Sequence, residues 1–155
     1  MSFAAPFAPA ASGLPDPAGR PEFYRGTQGK RAVAWVIDVA LIWLATLALM
    51  PFTLFLGLFL LPVIVPVVGF LYRWGTIASG SATWGMRLTG IELRGHDGGR
   101  LSGGEALAHT GGYALSVAVF PAQLVSMALM AATPRGQGLT DHVLGTAAIN
   151  RPHSR

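Results

Sequence analysis

Three apolar runs, separated by polar and glycine-rich segments, set the plan of this chain. Between Ala32 and Leu49 the only ionisable residue is Asp38. At ~1.5 Å of rise per residue, a helix over this run reaches across a ~30 Å hydrocarbon core. Pro51 follows Met50 directly and disfavours continuing the helix, so a tight turn is expected there. The run from Phe52 to Tyr72 is uncharged and closes on Tyr72, Arg73 and Trp74, an aromatic and basic anchor suited to a membrane interface. These two runs predict an antiparallel hairpin of spans over about 32–50 and 52–72. Within the second, Pro62 and Pro66 share a face, and each lacks an amide hydrogen, so a local bend is expected. The third run, Ala106 to Ala132, is broken by Gly111, Gly112, Ser116, Gln123 and Ser126, with Pro121 near its centre. Its length fits one bent span. Two half-helices meeting near Pro121 instead keep Arg135, Arg151 and Arg155 on the side of the other basic residues, and this re-entrant form is preferred.

The polar segments complete the expectation. Residues 1–29 carry five of the eleven prolines with Ala, Gly and Ser, which predicts a disordered tail, and no basic stretch precedes an apolar core as in a signal peptide. Arg20, Arg25, Lys30 and Arg31 cluster before the first span and place the amino terminus in the cytoplasm. Residues 73–105 are too polar to span. There Met86, Leu88, Ile91 and Leu93 alternate imperfectly and His96 to Gly99 form a turn, which predicts a small β-hairpin. Ser102 and Glu105 have the spacing of a capping box, so a helix should begin near Gly103. A polar tail over 133–150 contains Asp141, and 151–155 end the chain. The fold class is an all-α membrane protein: a helix hairpin, a third bent or re-entrant hydrophobic helix, and a small cytoplasmic β segment.

Composition agrees with this. Charged residues make up 12% of the 155 residues, about half the ~25% of a soluble domain. The net charge of +4 lies outside the apolar runs, where it meets anionic headgroups. No basic stripe with interleaved aromatics is present, so no nucleic-acid partner is expected. The absence of cysteine excludes disulfides, thiolate metal sites and thiol nucleophiles.

A carboxylate inside a membrane helix costs about 2.5 to 3.5 kcal/mol on insertion scales and should face protein or water. Asp38 is therefore the leading candidate, either as a proton or cation site or as an acid that fixes helix register. Arg31 falls near the same helix face but ~10 Å along the axis, so Arg87 or Arg135 from another segment is the candidate partner. Asp141, between Thr140 and His142, is either a cation site near the cytoplasmic mouth or a cap that starts a short helix.

Taken together, Arg31 at the head of the first helix, Asp38 inside it, and Asp141 followed by Gly145 and Thr146 resemble the RDD family of membrane proteins, named for an arginine and two aspartates. The middle stretch SGSATWGMRLTGIELRGHDGGRLSGGEALAH resembles that family's cytoplasmic segment, with Arg87 as its basic residue. The likeness covers about residues 30–150 and implies a membrane fold with transport of a solute or ion. One departure stands out: the family usually places His immediately before the second Asp, whereas here Thr140 precedes Asp141 and His142 follows it.

Several other chemistries fail. Gly75 to Gly80 has the spacing of a phosphate loop, but Ser81 stands where Lys is needed. His96, His109, His142 and His153 are too far apart in sequence for a zinc site and read as surface or interface residues. Asp141 lies outside the apolar runs, so it is a poor partner for Asp38 in an aspartyl-protease mechanism. Trp35 and Trp43 read as core or lipid-facing aromatics. No enzyme activity, metal or cofactor is expected. The expected role is transport of a small ion or solute across the bacterial inner membrane, with Arg31, Asp38 and Asp141 as site residues supported by Arg87, Arg135 and His142. Two spans and a third element do not enclose a water-filled path, so a homo-oligomer is expected. The rival is a non-transporting membrane adaptor in which Asp38 pairs helices.

Overall fold

The computed structural model describes residues 12–53 and 56–152. Helix α1, Thr27–Leu49, puts Ala34, Asp38, Ile42 and Thr46 on one inward stripe, the four-residue recurrence of a helix face. Val33, Val36, Leu44 and Leu47 point outward and are exposed, as they would be against lipid. After Met50 the chain makes 3-10 turns at Pro51–Thr53 and Leu56–Leu60 before α2 begins, Leu61–Gly80. The turn is thus longer than the Pro51 break implied. Thr53 explains part of this: its hydroxyl donates to the Met50 carbonyl and accepts the Gly57 amide, tying the turn to the end of α1. Pro62 sits in the first turn of α2, where its missing amide costs no hydrogen bond. Only Pro66 is interior.

Two expectations for the second span are corrected. The helix does not stop at Tyr72–Trp74 but continues for two more turns to Gly80, so Arg73 is not an interface anchor. It is buried against Asp38 and the Tyr113 ring. Ser81 ends the helix in the left-handed region (φ 53°) and accepts the Leu93 amide on its carbonyl and the Leu101 amide on its hydroxyl.

The expected β-hairpin is also corrected. Thr83 caps a short helix α3, Trp84–Thr89, which stops at Gly90 in the left-handed region, φ 73°. Strand β1, Ile91–Arg94, then pairs antiparallel with β2, Ala147–Asn150, from the far end of the chain. The imperfect alternation over 86–93 was half helix and half strand. The Gly95–Gly99 turn forms as expected, but it leads to the helix capped by Ser102 and Glu105 rather than to a returning strand. The sheet lies between two cores. Ile91, Leu93 and Ala148 face Ala34, Ile77 and Ala106, while Ala147 and Ile149 meet Leu14 and Tyr24. Residues 12–29 are therefore no disordered tail: they fold over the outer face of the sheet, and Gly13 N–H donates to the His96 carbonyl. The remainder of that predicted tail, residues 1–11, lies outside the described residues, as do 153–155.

The third apolar run forms α4, Gly103–Ala118, and α5, Phe120–Ala132, bent by 116°. The break falls at Val119, and Pro121 starts the new helix. Both outer ends of this pair return to one end of the molecule. Trp74 reaches the Gly103 carbonyl at 3.3 Å, and Gln28, at the start of α1, reaches that of Met130 at 2.7 Å. Helix α6, Leu139–Leu144, follows and leads into β2. Asn150 is tied to the carbonyls of Glu22 and Arg25 and to Lys30, so the chain after α5 lies beside the start of α1.

Gly85 is the closest approach of α3 to α1. A Cβ there would lie 2.2 Å from the Ala34 carbonyl oxygen and 2.8 Å from an Asp38 oxygen. Gly85→Ala is expected to force the two helices apart and destabilise by roughly 1 to 3 kcal/mol, read as a lower unfolding midpoint in detergent. Gly29→Ala, which meets nothing within 4 Å on α1, should instead be neutral or raise it by up to about 1 kcal/mol.

Candidate functional site

The two aspartates occupy two separate clusters. Asp38 is 1% exposed. One of its oxygens accepts the Tyr72 hydroxyl at 2.7 Å and the Gly85 amide at 2.9 Å, and the other accepts the Thr83 hydroxyl at 2.7 Å. Arg73 Nη1 lies 3.7 Å from that second oxygen. Asp38 thus joins α1 to α2 and to the cap of α3. Its partner is Arg73, and the expected Arg87 and Arg135 lie elsewhere.

Asp141, also 1% exposed, gathers four donors: Arg31 Nη1 at 2.8 Å, His109 Nε2 at 2.9 Å, the Thr146 hydroxyl at 2.8 Å and the Gly138 amide at 3.0 Å. The Gly138 bond caps the start of α6, as the acid of a capping box does. Burial alone would push this carboxyl up. Arg31, His109 and the Gly138 amide outweigh it and hold the carboxyl well below the usual range. Arg31 therefore serves Asp141 rather than Asp38, across α1, α4 and α6.

The supporting candidates do other work. Arg87 donates to the carbonyls of Thr76 and Ala82 and stacks on Trp84, closing the carboxyl end of α2. Arg135 lies beside Tyr24. His142 is exposed and donates through Nδ1 to the Gly138 carbonyl on its own helix. The imidazole that meets Asp141 comes from α4. His109, expected at a surface or interface, is buried at the site; its place in an apolar run, like a lone ionisable residue in a span, is the signal the sequence offers. Arg73 was missed because it sits at the end of the hydrophobic run, where an anchor is the usual reading.

Between the clusters is a cavity of about 530 Å³ lined by Arg31, Asp38, Arg73, His109, Thr110 and Asp141 together with mainly apolar side chains and a few uncharged polar ones such as Ser116 and Gln123. Trp35 closes part of its wall and donates from Nε1 to the Tyr113 hydroxyl at 2.8 Å. Among the described residues no group of three or more His, Cys, Asp or Glu side chains is placed to hold a metal ion.

Two helices long and apolar enough to cross a membrane, with a bent apolar pair beside them, fit a membrane protein. The RDD family pattern matches residues 25–145, and the chain belongs to that family. No curated protein and no solved structure matches it.

Proposed function

We propose that this is a multi-pass protein of the bacterial inner membrane, amino terminus cytoplasmic, that takes part in moving a small ion or solute bound in the cavity between α1, α2, α4 and α5. The observation that carries this reading is the cavity itself, about 530 Å³, a size within the ~300–1,000 Å³ of small-molecule sites. It touches both acid–arginine clusters. The bent pair α4–α5 enters and leaves the bilayer on the cytoplasmic side, and its break at Val119 lies at membrane depth, where irregular backbone belongs only beside a cavity. Asp38 acts here as an organiser. Three donors hold its oxygens and a guanidinium stands beside it, so a cation entering there would meet Arg73. A homo-oligomer completes the path, since one copy presents extensive apolar flanks and too few helices to enclose water.

Met127 lines the cavity, is 57% exposed and touches neither acid cluster, so Met127→Trp narrows the mouth without disturbing the charges. In proteoliposomes, ion flux reported by pH- and potassium-sensitive dyes, or osmotic swelling with a panel of small solutes, should exceed protein-free vesicles for wild type. Met127→Trp should cut it at least fivefold. Equal flux in both proteins, or none above protein-free vesicles, goes against the reading. One observation favours the adaptor alternative: Asp38 is satisfied by groups of its own chain and needs no ligand. That alternative predicts no flux from wild type.

A further inference from the structure

Arg73 carries unpartnered donors in the buried interior of the described residues. Its side chain makes no hydrogen bond to any described residue, although the residue is only 9% exposed, and Nη2 is sealed from water without a partner. A buried guanidinium without acceptors is costly, and its planar fork is shaped to take an oxyanion through two parallel bonds. Asp38 does not meet this need. Its nearer oxygen is 3.7 Å from Nη1 and already accepts from Thr83, and the other oxygen holds two donors. Tyr113 covers one face of the guanidinium at 4.3 Å, which leaves the edge as its recognition surface.

A second group in the same cavity is in the same position. Thr110, 1% exposed, has a hydroxyl without a partner among the described residues. A hydroxyl can donate or accept, whereas the guanidinium can only donate, so an acceptor is what would satisfy both groups. Asp141 cannot supply an acceptor, since each of its oxygens already takes two hydrogen bonds. With two aspartates facing two arginines the cavity is close to neutral, which suits one negative charge rather than several.

The rest of the lining is mainly apolar, with Tyr113, Ser116, Gln123, Ser126 and Thr140 as polar interruptions. Ala34, Ile77 and Met86 form the floor, and the rim is made by Trp35, Val36 and Met127, which are 48%, 60% and 57% exposed on the outer flanks of α1 and α5. An occupant therefore has its polar end among buried donors and its body among side chains that continue onto the bilayer-facing surface.

We infer that the cavity binds an amphipathic monoanion, a carboxylate or phosphate head on an apolar body, with the head on the Arg73 edge and the Thr110 hydroxyl and the body leaving between Trp35, Val36 and Met127. The inference rests on the proposed solute-binding role and names its substrate class. Arg73 is the recognition residue, and Asp38 positions it.

The test is binding of tritiated laurate to wild-type protein in phosphatidylcholine nanodiscs, with empty nanodiscs subtracted. Saturable binding displaced by dodecyl phosphate is expected. Dodecanol and dodecylammonium should compete at least tenfold more weakly, and acetate and inorganic phosphate should not compete at the same concentration. Arg73→Gln should weaken laurate at least tenfold, with partial recovery in Arg73→Lys. Absence of saturable laurate binding, or equal competition by dodecylammonium or dodecanol, overturns the assignment of an anion. Equal competition by acetate or inorganic phosphate overturns the apolar body and leaves a free-oxyanion site. The competition series uses wild type alone, so it decides the matter even where Arg73→Gln misfolds. If laurate fails while Met127→Trp still blocks flux of another solute, only this inference falls; if Met127→Trp changes no flux, the solute-binding role itself is lost.

Discussion

Asp38→Asn is expected to destabilise the purified protein by about 3 kcal/mol or more, the scale for removing one partner of a buried ion pair. The remaining oxygen still accepts from Gly85 and Tyr72. The new amide, however, faces the Thr83 hydroxyl, which already accepts the Met86 amide as the cap of α3. Arg73 meanwhile loses the only carboxylate within 4 Å of it among the described residues. Three elements meet at this side chain, so the loss should appear as a large fall in unfolding midpoint in detergent and a rise in aggregated material on size exclusion. A variant as stable as wild type would mean that the acid does not organise this junction.

Asp141→Ala should have a comparable or larger effect, about 3 to 5 kcal/mol, because it strands Arg31 and releases His109, Thr146 and the Gly138 amide together. The same carboxyl sets an acid limit. Its folded-state pKa is depressed, so its contribution is complete above the unfolded value of ~3.9 and is lost as pH falls below that. Wild type should lose stability steeply below about pH 4, and Asp141→Asn should show a shallower fall from a lower starting point. A wild-type midpoint that stays flat to pH 3 would contradict the paired carboxylate.

Much of the helical plan was legible because it rests on local chemistry. The two apolar spans followed from run length, the start of α4 from Ser102 and Glu105, and the break in the third run from Pro121. What the chain order concealed is long-range. Strand β2 pairs with β1 across more than fifty residues, and short strands of four residues leave a pattern too brief to separate from the helical turn before them. Residues 12–29 have the composition of a disordered segment, yet Leu14 and Tyr24 find a ready apolar surface on Ala147 and Ile149. For the site, the resemblance singled out Arg31, Asp38 and Asp141, but sequence spacing could not say who pairs with whom, nor that Asp141, in a polar stretch, is buried. Helical geometry did argue against a direct Arg31–Asp38 bond, short of a reaching side chain. Finding Arg73 required knowing that α2 runs past it and that Tyr113 of α4 covers it.

Both clusters depend on a division of partners, Arg31 with Asp141 and Arg73 with Asp38, and a pair of double-mutant cycles tests it most directly. Unfolding free energies of Arg31→Gln, Asp141→Asn, Asp38→Asn and the doubles are measured under one detergent condition. The structure predicts a coupling of about 1 to 3 kcal/mol between Arg31 and Asp141 and additivity within about 0.5 kcal/mol between Arg31 and Asp38. Strong coupling of Arg31 to Asp38, with none to Asp141, would contradict the arrangement of both clusters and of the cavity between them.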